Sequence, residues 1–76
     1  MNCIIYIPLL DEGTPTLRRT FGEFVADGIY KVLSDADYDP EDENWEFPPG
    51  SVVKCRKGEW KDAEILIAFE VVRSVT

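Results

Sequence analysis

Residues 35–46, DADYDPEDENWE, hold the side chains best suited to chemistry in this 76-residue chain: seven carboxylates with no Lys or Arg among them. They are Asp35, Asp37, Asp39, Glu41, Asp42, Glu43 and Glu46, and together they equal the formal net charge of -7. Counted from Asp35, oxygens fall at positions 1, 3, 5, 7, 9 and 12, the pattern a calcium loop of the EF-hand type requires. Asp35, Asp37, Asp39, Glu43 and Glu46 fit it. Position 6, however, needs the free backbone of glycine for a sharp turn and is Pro40, whose φ is fixed near -65°. Position 8, normally apolar, is Asp42, and the flanks read as a strand and as Phe47-Pro48-Pro49 where helices should pack. A looser, weak calcium-binding or calcium-stabilised site built from Asp35, Asp37 and Asp39 survives these objections as an alternative.

Aromatic side chains are interleaved with the acids. Tyr38, Trp45 and Phe47 stand beside Glu41, Asp42 and Glu43, followed by Pro48 and Pro49, a mixture that suits an interaction surface for a basic or proline-rich partner protein. The structural alternative is that Trp45 and Phe47 fold back as a lid over the end of a small core, since large aromatics supply much of the buried area in a short chain. A solvated acidic loop that keeps the protein soluble accounts for the charge equally well.

A second cluster has the opposite sign. Lys54, Arg56, Lys57 and Lys61 surround Trp60, and cations around an aromatic are the elements of single-stranded nucleic-acid binding. The net charge of -7, the sequence pI near 4.3 and the intervening Glu59 and Asp62 argue against it, because phosphate binding is driven by cationic surface.

Catalysis has little to build on. There is no histidine, which removes His-based acid-base catalysis, His-assisted nucleophiles and His-ligated metals. Carboxylate pairs such as Asp11/Glu12 or Glu43/Glu46 carry no sign of burial, and Ser34, Ser51 and Ser74 lack a nucleophile-elbow context. The expectation is a non-enzymatic protein without a cofactor. Cys3 and Cys55 sit in apolar or alternating runs and read as small buried hydrophobes of a cytosolic protein; a disulfide would require their strands to lie side by side.

The elements that must position these residues are short and β-rich. Residues 3–10 form a strand-length run of β-branched and aromatic types, with Pro8 marking an edge or a bend. Only eight residues long, it falls short of the roughly 20 needed to span a bilayer, and no basic residue precedes it as in a signal peptide. Residues 14–28 are ambiguous: Thr14, Pro15 and Gly28 would cap a short helix, whereas Leu17, Arg19 and Phe21 fit a strand with Gly22 as a bulge. Asp27-Gly28 signals a hairpin into a strand at 29–33, Gly50 a turn into a strand at 51–56, and Lys57-Gly58 a further turn. In 51–56, Val53 and Cys55 alternate with outward Lys54 and Arg56. Residues 64–72, EILIAFEVV, are apolar enough for a central position in the sheet.

The expected fold is therefore all-β: one domain over residues 1–76, a small, partly open five-stranded barrel of the Src-homology-3-like type. The alternative is α+β with a short helix at 15–27. Read end to end, Ile7-Pro8-Leu9-Leu10-Asp11-Glu12-Gly13-Thr14, Asp27-Gly28-Ile29-Tyr30-Lys31-Val32 and residues 43–55 (ENWEFPPGSVVKC) resemble a group of short bacterial proteins that look like single β-rich domains. The resemblance covers most of the chain; it implies the β fold and no particular chemistry. The functional expectation is a cytoplasmic protein-protein interaction module that uses Tyr38, Glu41, Asp42, Glu43, Trp45 and Phe47.

Overall fold

The computed structural model describes residues 2–10, 13, 16–34 and 44–73. Five strands follow in chain order: β1 (Asn2–Pro8), β2 (Leu17–Ala26), β3 (Ile29–Val32), β4 (Val52–Trp60) and β5 (Ala63–Arg73). They close into a barrel in that same order, each antiparallel to the next, with β5 returning parallel to β1. Closure rests on one residue pair, Tyr6 with Ile67, so the barrel is closed where a partly open one was expected. Among the described residues no helix is long and apolar enough to cross a membrane.

Period-two alternation explains the strands. Ile5 and Ile7 of β1 are fully buried while Ile4 is exposed, and Val53 on β4 is fully buried between Lys54 and a buried Val52 at a register shift. The helix at 15–27 does not form. Thr20 and Gly22 face inward while Arg19, Phe21 and Glu23 face outward, a strand pattern, and β2 is paired on both sides by β1 and β3. A central glycine and two threonines cost a helix more than they cost this strand.

Gly22 is not the bulge. It pairs regularly with Cys3 and Val32, and the register shift lies between Phe24 and Ala26. Its role is close approach: a Cβ at Gly22 would stand 2.8 Å from Ile5 Cδ1 and 3.1 Å from Tyr30 Cβ, which lets β2 lie directly over two core side chains. Asp27-Gly28 turns as expected, with Gly28 at φ 74°. Lys57-Gly58 does not turn. Both residues are paired within β4, and the reversal comes at Lys61-Asp62, which both take positive φ, 53° and 65°.

The core comprises Ile5, Ile7, Tyr30, Val32, Trp45, Phe47, Val53 and Ala68, with Cys3, Leu9, Cys55 and Leu66 packed against it. Both cysteines are free. They stand on β1 and β4, which are not neighbours in the barrel because β5 lies between them.

Candidate functional site

Antiparallel pairing around the barrel sorts its connections. Those joining β1 to β2 and β3 to β4 leave from one end, together with the C-terminal end of β5; the turns joining β2 to β3 and β4 to β5 lie at the other. Both acid-bearing connections thus share an end. Backbone hydrogen bonds stitch them together there: the Leu10 amide donates to the Asn44 carbonyl (2.7 Å) and the Glu46 amide to the Pro8 carbonyl (2.9 Å), around a bridge between Leu9 and Trp45. Asp11 and Glu12 follow Leu10 directly, and Glu43 precedes Asn44.

The described part of the long β3–β4 connection is firmly held at both ends. At its start the Leu33 amide donates to the Phe21 carbonyl (2.9 Å), and the buried Thr20 hydroxyl donates to the Leu33 carbonyl (2.8 Å). At its finish the Gly50 amide donates to the Val32 carbonyl (2.7 Å), and the Val32 amide donates in turn to the Ser51 carbonyl (2.8 Å). Gly50 takes φ 96°, which few residues other than glycine adopt. Trp45 and Phe47 anchor the segment through their side chains, exposed by only 4% and 6%. They are the lid of the core, so a partner does not meet their rings in this conformation. Glu46 between them is exposed.

Tyr38, Glu41, Asp42 and Glu43, and the calcium candidates Asp35, Asp37 and Asp39, lie outside the described residues. Their place in the charge balance is nonetheless fixed by the chain. All eight Lys and Arg are among the described residues, with seven of the fifteen acids, so this part carries a formal charge of +1. The other eight carboxylates, Asp11, Glu12, Asp35, Asp37, Asp39, Glu41, Asp42 and Glu43, all belong to the two connections that leave one barrel end. Sequence reading isolated the long stretch; that the connection carrying Asp11 and Glu12 leaves the same barrel end is revealed only by strand register.

The basic cluster divides differently. Lys54 pairs with Glu70 at 3.1 Å and Lys57 approaches Glu64 at 3.9 Å, while the Arg56 guanidinium lies 5.5 Å from the centre of the Phe69 ring. Trp60 is half-buried. Two of the four cations thus already have a carboxylate close by, which weakens the cluster as a phosphate-binding surface. Among the described residues no group of three or more Cys, Asp or Glu side chains is placed to hold a metal ion.

Among the described residues two titratable groups are perturbed. Burial pushes the Cys55 thiol up from 9.0 to about 11, and burial followed by the charges of Cys3 and Cys55 raises the Tyr30 phenol above its ordinary 10.0. At neutral pH both stay protonated, so Cys55 offers no thiolate nucleophile.

The architecture defines a small all-β protein, a closed five-stranded barrel of the Src-homology-3-like type. Comparison with protein-family models, with curated proteins and with solved structures finds no match to the chain.

Proposed function

We propose that this protein is a cytoplasmic, non-enzymatic interaction module whose acidic barrel end receives a basic segment of a partner protein. The observation that carries the reading is the Leu10–Asn44 hydrogen bond, which joins the two acid-bearing connections at one place. Around it the chain supplies eight carboxylates with no Lys or Arg interleaved in residues 35–43, while the remainder of the molecule is almost neutral. A patch of one sign on a small domain steers an oppositely charged partner and fixes its orientation more than it raises affinity. The buried Trp45 and Phe47 support the reading in another way: they hold the downstream end of the acidic stretch against the core, which lowers the ordering cost of binding.

The test is a titration with an arginine-rich peptide and a proline-rich peptide of equal length. Binding of the arginine-rich peptide should weaken steeply with added salt, and replacing Glu41, Asp42 and Glu43 by Gln, Asn and Gln should lower its affinity at least tenfold, with the melting temperature unchanged. Equal binding to the substituted protein would remove this end as the docking surface.

A further inference from the structure

β5 outruns its partner on one side. The parallel register that pairs Tyr6 with Ile67 would set Pro8 beside Phe69, but Pro8 has no amide hydrogen and its carbonyl already accepts from the Glu46 amide (2.9 Å). The ladder to β1 therefore stops at Tyr6 and Ile67, while β4 pairs with β5 as far as Arg73. Among the described residues no backbone hydrogen bond reaches the other edge of Phe69–Arg73. Every residue of that run is exposed, Phe69, Val71 and Val72 by 45%, 43% and 49%.

A strand paired along one edge only, with apolar side chains open to solvent, is a template for a further strand. We infer that this edge pairs antiparallel, about a two-fold axis, with β5 of a second copy of the same chain.

Symmetry and charge together select that occupant and its register. A two-fold axis through an antiparallel pair sets one residue opposite itself. The run reads Phe69, Glu70, Val71, Val72, Arg73, so centring on Val71 pairs all five. Glu70 then faces Val72 of the second copy and Arg73 faces its Phe69, which opposes no like charges and brings a guanidinium beside an aromatic ring. Centring on Glu70 would oppose two carboxylates, and centring on Val72 would pair only residues 71–73. Antiparallel pairing also points the two acidic barrel ends in opposite directions, which limits repulsion between copies that each carry -7. The contact consumes the same edge on both chains, so association stops at two. It goes beyond the acidic-end reading and does not depend on it.

The experiment is sedimentation velocity at physiological ionic strength over about a hundred-fold range of concentration, where mass action should reveal a monomer-dimer equilibrium that goes no further. V71K sets two ammonium groups opposite each other, and V71E two carboxylates; each should weaken the dimer by about tenfold or more. Mixed in equal amounts, the two variants should pair one to one. Val72 stands at a register shift without a partner on β4, so its substitution leaves the β4–β5 ladder intact should the Val71 variants melt early. V72E, facing Glu70 of the second copy, should be monomeric, whereas V72K should remain dimeric. Loss of apolar surface alone would act equally on both. A monomeric wild type, an undiminished dimer in V71K and V72E, failure of the V71K and V71E mixture to pair, or equal loss in V72E and V72K would each overturn the inference.

Discussion

Gly58 lies beneath the side chain of Ile67: a Cβ at position 58 would stand 2.7 Å from Ile67 Cδ1 and 3.6 Å from Cγ1. Ile67 is also the β5 residue that faces Tyr6 and closes the barrel, so the absence of a side chain on β4 lets the closing residue settle. Gly58 belongs to a strand and not to a turn because that space is needed. The expected consequence is a coupled pair. Gly58→Ala should cost about 1 kcal/mol in wild type through overpacking. In an Ile67→Val background, which lacks Cδ1, the same change should cost nothing or stabilise slightly, since alanine suits a strand interior better than glycine. Urea denaturation of the four proteins measures the coupling. Additive effects would mean that Gly58 is there for another reason.

Trp45 and Glu43 are two residues apart and should behave in opposite ways. Trp45 is 4% exposed within the core cluster, so Trp45→Ala should lower stability by roughly 3–5 kcal/mol, the range for removing a buried aromatic. Neutralising Glu41, Asp42 and Glu43 together should leave the melting temperature unchanged or raise it slightly, because like charges no longer repel one another. Thermal melts followed by far-ultraviolet circular dichroism separate the two outcomes. A stable, folded Trp45→Ala protein would return that ring to the list of contact residues.

How much of this was legible in the sequence depends on range. Alternation in Val53, Lys54, Cys55 and Arg56 is a local signal, and the strand with its inward and outward faces could be read directly. Residues 17–26 could not be assigned locally, because Thr20 and Gly22 look alike to a weak helix and to a strand; pairing with β1 and β3 decides. Gly58 misled for a related reason. A glycine after a lysine signals a turn, and nothing nearby in sequence reveals that Ile67, nine positions later, occupies the space above it. In the acidic region, Trp45 and Phe47 were readable as a lid since a chain this short needs their area in its core. That the connection carrying Asp11 and Glu12 leaves the same barrel end as the one carrying Glu43 was not readable, because at least thirty residues separate them in the chain.

Alkaline pH should destabilise the protein through its interior thiol and phenol. Burial raises the Cys55 thiol from 9.0 to about 11, and burial with the neighbouring thiol charges raises Tyr30 above 10.0. The unfolded chain releases these protons at lower pH than the folded one, so between pH 9 and about 11 the native state binds more protons. Stability therefore stays level below pH 9 and falls as pH rises through that window. Cys55→Ala should flatten the early part of the fall, whereas the contribution of Tyr30 persists. Melting temperatures of both proteins from pH 7 to pH 11 are the measurement; identical slopes would show that Cys55 does not resist ionisation in the fold.

The reversal from β4 to β5 is strained in a way that can be relieved. Trp60 pairs with Ala63, leaving Lys61 and Asp62 as a two-residue connection in which both have positive φ, 53° and 65°. This is the backbone of a type I′ turn, whose twist matches a hairpin and whose preferred residues are Asn followed by Gly. A lysine in that region meets its own carbonyl oxygen and carries a cost of about 1–2 kcal/mol. Lys61 and Asp62 are both exposed, and replacing them together leaves the net charge unchanged. Lys61→Asn with Asp62→Gly should therefore stabilise the protein by about 1 kcal/mol, since the turn geometry is retained and only its strain removed. Urea denaturation should show a higher midpoint with an unchanged slope. A lower midpoint would mean that the side chains of Lys61 or Asp62 contribute contacts worth more than the strain they impose, and that the tip of this hairpin is held by more than its backbone.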